Sequence, residues 1–322
     1  MLDPVTQTAD AAVVNDTPRP IATISVDVDP VDLHLAGYGF EASPDPLSCA
    51  VAMPRLCELL SRVGVRATLF VVGRDAEWHS APIAAAAAAG HEIASHTHNH
   101  PFAFARLPAA QQRAELEDSK RALEHASGTP CVGFRAPGFD FDAAAARAVF
   151  ETGFRYDASA YPTPLMLPAR LLQALKSRSL LDSLRLRCWP FTLERNPHRL
   201  PMKDGALVEF PVSVTPWLRF PVYHTARYLM SESQFLRALD GFARRGESFS
   251  YLLHAVDLLG LEEDRVDVRL KRHPGMEQPL QVKRELLEKS LRAVAERFTV
   301  ATYAERVDGL LAGTERSTSS AA

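Results

Sequence analysis

The chain is poor in cysteine, in long apolar runs and in any excess of one charge, and each shortage removes a class of protein. Four cysteines (Cys49, Cys57, Cys131, Cys188) in 322 residues, none in a C-x-x-C pair, supply neither a disulfide framework nor a thiolate zinc site. Against 36 Lys+Arg stand 39 Asp+Glu, a formal net charge of -3, so no broad basic surface exists to hold nucleic acid. No stretch reaches the ~18 uncharged apolar residues of a spanning helix. The first twenty residues carry Asp3, Asp10 and Asp16 and lack the basic start and hydrophobic stretch of a secretory signal. They read as a flexible leader, residues 313–322 read as a small, polar tail, and a cytoplasmic setting fits.

What is present is the balance of a globular chain, 47% apolar and 23% charged, arranged as alternating strands and helices. The β-branched run from Ile21 to Pro30 reads as the first strand, and Val65–Val72 as a second, buried one. Between them lies a helical pattern around Ala52–Val63. A helix containing Pro82 and the alanines Ala84–Ala89 stops at Gly90. Further strands are expected at His91–Ser95, Val132–Arg135, Phe154–Asp157, Leu207–Val214 and Phe249–His254. Helices are expected near Ala109–Ala126, after Asp142, after the capping pattern Ser231-x-x-Gln234, and near Pro279–Arg297. Repeated β-α units predict parallel strands with helices outside. The α/β class expected is a distorted or incomplete (β/α) barrel over residues 21–312. Residues 161–205 break the rhythm. Between Tyr161 and Lys203 there are eight Lys/Arg against Asp182 and Glu194, with leucines at partly helical spacing, which predicts a cationic amphipathic insertion that covers one end of the barrel or leans on a membrane surface.

Four strand ends carry chemistry. Asp27 and Asp29 are two apart, so both carboxylates project from one face of the first strand, although aspartates before Pro30 would equally serve a turn. His96 and His100, in SHTHNHP, have the separation that places two imidazoles on one side of a helical turn. Three histidines within five residues make a chance surface cluster the weaker reading, and His98, of opposite phase, is a bystander. Two imidazoles and the Asp29 carboxylate make a three-ligand site with room for water, as in catalytic zinc centres. Asp27 would then act as general base, with Arg135 of GFRAPGF beside it. His254 closes an apolar strand, with Asp257 three residues on, and serves either as a general acid or as a core residue.

Taken together, SVDVDP, HTHNH, FRAPGF and LLHAVD resemble the ordered motifs of the polysaccharide deacetylase family (carbohydrate esterase family 4), over about residues 20–305. The resemblance implies metal-dependent removal of an N-acyl group, acetyl or formyl, from an amino sugar. It implies Asp27 as base, Asp29, His96 and His100 as ligands of a divalent metal, zinc first, Arg135 as partner of the base and His254 as acid. The family's first motif has adjacent aspartates, whereas Val28 separates them here. This D-V-D form is similar to a subgroup that includes peptidoglycan deacetylase homologues, cyclic-imide hydrolases and deformylases of polyprenyl-linked amino sugars. A cyclic-imide or ureide amidohydrolase is therefore the alternative enzyme. A carbohydrate- or lipid-binding module with a defunct site is the non-enzyme alternative, and the complete residue set argues against it. Asp157 in YDAS resembles a later family motif and is expected to support the site.

Overall fold

Strand β1 (Ile21–Val28) is buried along nearly its whole length, and its two faces differ in chemistry. Ala22, Ile24, Val26 and Val28 belong to a large apolar cluster with Leu56, Leu59, Leu60, Leu287 and Leu291. The opposite face presents Thr23, Ser25 and Asp27, all buried. A strand with apolar residues on one side and polar ones on the other separates a greasy exterior layer from a polar interior. Each fully buried Val or Ile on the outer side contributes roughly 1.5–3 kcal/mol.

The computed structural model describes residues 18–164 and 194–313. Its sheet adds β2 (Thr68–Val71), β3 (Glu92–Ser95), β4 (Gly133–Phe134), β5 (Tyr156–Asp157), β6 (His198–Met202), β7 (Gly205–Glu209), β8 (Phe249–His254) and β9 (Thr299–Val300). The order is β6-β7-β5-β4-β3-β2-β1-β8, with β9 beside β1. All neighbours are parallel except β6 and β7. The described helices are α1 (Val31–Gly37), α2 (Met53–Val63), α3 (Gly73–Trp78), α4 (Ser80–Ala88), α5 (Ala109–Ser127), α6 (Ala143–Glu151), α7 (His224–Arg227), α8 (Glu232–Arg244), α9 (Leu280–Arg297) and α10 (Tyr303–Ala312). The sheet curls without closing: β6 and β8 are its two edges, which is the incomplete barrel expected. Across the gap the Ser250 amide of β8 donates to Ser213 Oγ at 2.7 Å.

The interior at the amino ends of the strands is filled by α10. Tyr303 stacks on Phe210 with centroids 4.4 Å apart, inside a second apolar cluster that includes Phe70, Tyr156 and Val307. The Tyr303 and Ala304 amides donate to Thr68 Oγ1 and Glu92 Oε2, so the first turn of α10 is satisfied by the barrel it plugs. The carboxyl ends of the strands are left for function.

Two features differ from the sequence reading. Strands β4 and β5 are two residues each, shorter than expected, because the chain leaves the sheet as soon as its side chains reach the site. Residues 198–202, expected inside the insertion, instead form edge strand β6, paired with β7 across the turn at Lys203-Asp204. Pro201 disguises it, since proline is tolerated on an edge strand that lacks a partner on one side. Residues 165–193 of the expected insertion, with Arg170, Lys176, Arg178, Arg185 and Arg187, lie outside the described residues, as do residues 1–17 of the leader and 314–322 of the tail. Among the described residues no helix is long and apolar enough to cross a membrane.

Candidate metal and catalytic site

The alternation of β1 places Ser25, Asp27 and, just beyond the strand, Asp29 on one inward line. Register does the rest. Asp27 pairs with His254 at the end of β8, so the two side chains stand side by side, with His254 Nε2 3.9 Å from Asp27 Oδ2. Arg135 follows β4 and is fully buried. Its Nη1 donates to Asp27 Oδ1 at 2.6 Å, its Nη2 to Ser25 Oγ at 3.1 Å and its Nε to the Ala158 carbonyl at 2.9 Å. The guanidinium lies 4.1 Å over the Phe70 ring. Burial works against its charge, but Asp27 together with Tyr303 and Tyr156 outweighs burial and raises its pKa. Removing one partner of a buried pair leaves the other charge uncompensated. Arg135→Met should therefore destabilise the fold by about 3–5 kcal/mol, read as a lowered denaturation midpoint; a loss under about 1 kcal/mol would mean that the Asp27 charge is met by other groups.

His96 and His100 come together by a route other than the helical turn expected. The segment after β3 is a bend in which Thr97 and His100 adopt left-handed backbone angles (φ 63 and 58). The His100 amide donates to Thr97 Oγ1 at 3.0 Å. Glu115 of α5 accepts from the amides of His98 and Asn99 at 2.9 and 2.7 Å. The Gly73 amide donates to the Thr97 carbonyl at 2.9 Å, and a side chain at position 73 would meet Ser119 Cα at 2.7 Å and His98 Nδ1 at 2.9 Å. Glycine there lets two loops pack directly.

His96 Nδ1 donates to the Arg135 carbonyl at 2.8 Å, which selects the tautomer with the proton on Nδ1 and leaves Nε2 with its lone pair toward a metal. Nε2 of His96 and of His100 lie 3.3 and 3.5 Å from Asp29 Oδ1. Asp29 Oδ1 and His100 Nε2 are buried without a hydrogen-bond partner. These spacings match the ~3.3–3.4 Å edge of a tetrahedron with metal-ligand bonds of ~2.0–2.1 Å. Orphaned donors of the right kind at that spacing fit one divalent ion, and among the described residues this is the one such group of three. Burial raises the Asp29 carboxyl, but His100 and His96 outweigh it and hold it well below the usual range. Burial lowers the His96 imidazole, and Asp29 more than reverses that. His98 stands apart from the set.

Comparison with known proteins agrees with this geometry. Residues 36–156 match the polysaccharide deacetylase family model, and a peptidoglycan deacetylase of Helicobacter pylori is 31% identical over 144 residues, 43% of this chain and 49% of that protein. Residues 36–156 of this chain are thus similar to the polysaccharide deacetylase family. Members of the family are metal-dependent hydrolases acting on carbon-nitrogen bonds other than peptide bonds. The match spans about half the length of the curated relative. Among crystal structures, a Mycobacterium smegmatis protein classed with the polysaccharide deacetylases superposes with a TM-score of 0.62 at 18% identity, covering 100% of this chain and 99% of that one. An allantoinase superposes at 0.59 and 16% identity, covering 97% and 100%. At such identities both share the fold alone with this chain.

Asp157 sits in register between Phe134 and Glu209, away from the ligand cluster. It accepts from Ser159 N and Oγ at 2.8 and 2.7 Å, and Ser159 Oγ accepts from the Ala136 amide at 2.8 Å, fixing the backbone beside Arg135. Burial raises the pKa of Asp157 and, with the neighbouring Asp157 charge, that of Glu209. The two carboxyls therefore share a proton. In the unfolded chain they ionise near pH ~4; the folded pair still holds a proton above that. Folding thus takes up a proton, and stability falls as pH rises from ~4 to the pair's raised value, by up to ~1.4 kcal/mol per pH unit. Glu209→Gln should flatten this slope in urea denaturation at pH 6 and pH 8; an unchanged slope would reject the shared proton.

Several residues at the site were not singled out from sequence. Ser25 obeys the alternation that revealed Asp27 and was legible by the same rule. Ser48 Oγ donates to the Asp29 carbonyl at 2.6 Å. Two further histidines, His34 of α1 and His273, stand beside His254, with ring centroids 5.7 and 6.2 Å away. Asp257 Oδ2 accepts from the His254 amide at 3.0 Å and so sets the backbone after β8.

Proposed function

We propose that this chain is a metal-dependent amidohydrolase that removes an N-acyl group, acetyl or formyl, from an amino sugar. The observation that carries the reading is the convergence of Asp29 Oδ1, His96 Nε2 and His100 Nε2 on one buried point, beside a second carboxylate tied to a buried guanidinium. A divalent ion there, zinc first on this borderline N/O donor set, would polarise the amide carbonyl and make water nucleophilic near neutral pH.

The protein's own groups divide the remaining work. Asp27 has one oxygen committed to Arg135 and the other facing His254, and the free oxygen takes the proton of the attacking water. Arg135 holds that carboxylate in place. A backbone N–H near Gly138, where the chain turns with φ 59, donates to the carbonyl oxygen as charge develops. His254 Nε2 gives its proton to the leaving amine, from a position next to the base in register. The substrate's carrier, polymer or polyprenyl, remains part of the proposal, and the cationic 161–205 segment supports peripheral contact with an anionic membrane leaflet.

The test is mass spectrometry of N-acetyl and N-formyl amino sugars, free and polyprenyl-linked, after incubation with protein and zinc. Loss of one acyl mass, abolished by chelation, is expected. No loss from any of these sugars, with cleavage of a cyclic imide or ureide instead, would replace this reading with the second amidohydrolase chemistry.

A further inference from the structure

Among the described residues the four most exposed large apolar side chains share one end of the barrel. Trp217 (92% exposed), Leu229 (81%), Leu218 (80%) and Val268 (71%) all lie on connections that leave the carboxyl ends of strands, from β7 to α8 and from β8 to α9. Such connections collect on the face that holds the site. Two of the four sit together on a built tip. Val214 and Pro221 bridge, the Thr215 amide donates to the Phe220 carbonyl at 2.9 Å and the Val222 amide to the Ser213 carbonyl at 3.0 Å. The Phe220 amide donates to Thr215 Oγ1 at 3.0 Å, and Arg219 turns the chain with φ 47. A hydrogen-bonded hairpin thus holds Trp217 and Leu218 out in solvent, where neither packs on its own barrel.

The charge around the tip is of one sign. Between Glu209 and Glu232 the sequence has Arg219 and Arg227 and no acidic residue. Arg219 Nη1 lies 3.5 Å from the Pro162 carbonyl, and Arg195 Nη1 lies 3.4 Å from the Val214 carbonyl. The chain on either side of residues 165–193 is therefore tied to this hairpin, and those residues carry five Lys/Arg against Asp182. Two apolar side chains on a tip offer far less than the ~800 Å² per partner of a stable protein interface. Insertion into a bilayer needs no such area: tryptophan sits at the headgroup level, leucine reaches the acyl chains, and nearby cations meet anionic headgroups.

We propose that the hairpin tip Trp217–Leu218 seats the protein on an anionic lipid bilayer. The root of the hairpin joins it to the barrel mouth. The Tyr223 ring lies 6.1 Å from Tyr161, which lies 4.8 Å from Phe139 beside Gly138, and the Tyr228 hydroxyl donates to Asp257 Oδ1 at 3.4 Å, three residues past His254. This deepens the membrane contact proposed above, on which it rests: it names the side chains that enter the lipid, next to a site that takes an amino sugar from a lipid carrier.

The test is co-sedimentation of the full chain with vesicles of phosphatidylcholine and phosphatidylglycerol in equal parts, against phosphatidylcholine alone. Binding to the anionic vesicles at low salt, weakened as salt screens the charges, is expected. Trp217→Ser and Leu218→Ser should each lower the partition coefficient by about tenfold or more, since each withdraws one large apolar side chain from the lipid. Trp78→Ser, which removes an exposed tryptophan from the end of α3, should leave it unchanged. With Trp78 and Trp189 replaced by phenylalanine, Trp217 emission should move to shorter wavelength on binding and be quenched by lipids brominated on their acyl chains. Both tip residues are exposed, so the fold should survive their replacement, checked by an unaltered melting temperature. Binding that survives the two changes together, or a Trp217 that brominated lipid does not quench, overturns the hairpin and leaves membrane contact standing. No vesicle binding by the parent overturns both, while turnover of free amino sugars still decides the hydrolase reading. Self-association of the parent without vesicle binding, abolished by the same two changes, overturns the proposal by giving the tip to a second copy of this chain.

Discussion

His96→Ala, His100→Ala and Asp29→Ala should each lose the divalent ion together with all measurable hydrolysis. The loss should exceed the roughly 10–100-fold that follows removal of an outer partner of a metal ligand, because each change deletes one of only three donor atoms. Metal analysis after dialysis checks the first half of this expectation and turnover the second. Thermal stability gives an independent reading: zinc at about a thousand times its Kd should stabilise the parent by ~4.1 kcal/mol and leave the three variants unmoved. His98→Ala is the control, since its ring stands outside the cluster, and it should keep its metal. Full occupancy in His96→Ala or His100→Ala would remove that residue from the ligand set.

The reach of sequence reasoning differs residue by residue. Asp27 and Asp29 were legible because a strand has a period of two and nothing about the fold can change which residues share its face. His254 was legible as the polar end of an apolar strand, and the register that sets it beside Asp27 follows once the sheet is parallel. The pairing of His96 with His100 was legible for a partly mistaken reason. Four residues separate them, and a helical turn and a folded bend both bring such positions together. The left-handed angles at Thr97 and His100 have no signal in the local composition, and neither does the Glu115 carboxylate that clamps the bend from a helix.

Short strands escaped for a related reason. A two-residue strand such as Gly133–Phe134 has no periodicity to detect, and β6 hides behind a proline that an edge can carry. His34 and His273 were out of reach altogether. One lies in α1, seven residues past Asp27, the other more than two hundred residues on, and neither sits at a strand end. They reach His254 only because α1 and the 268–272 segment close over the same side of the barrel mouth, and that is a matter of tertiary packing.

Asp27→Asn should separate base from ligand. The change is nearly isosteric, and the asparagine carbonyl can still accept from Arg135 Nη1 at the place where Oδ1 does so at 2.6 Å, so the geometry of the neighbouring ion site should survive. The buried guanidinium loses its counter-charge and the fold should lose about 3–5 kcal/mol, so metal and turnover are read on protein shown to be folded. What is lost is the second oxygen: the amide nitrogen that replaces it has no lone pair for a proton. Metal content should therefore stay at the parent level while kcat falls by about 10²–10⁴-fold, the usual worth of a positioned base. Asp29→Asn, by contrast, should show weakened metal affinity, with turnover recovering in part as zinc is raised. Two carboxylates two residues apart, on one face and within one site, would thus give opposite signatures: one that added metal cannot rescue and one that it can. Loss of metal in Asp27→Asn with retention in Asp29→Asn would exchange the two roles and place the ion on the Arg135 side of the site.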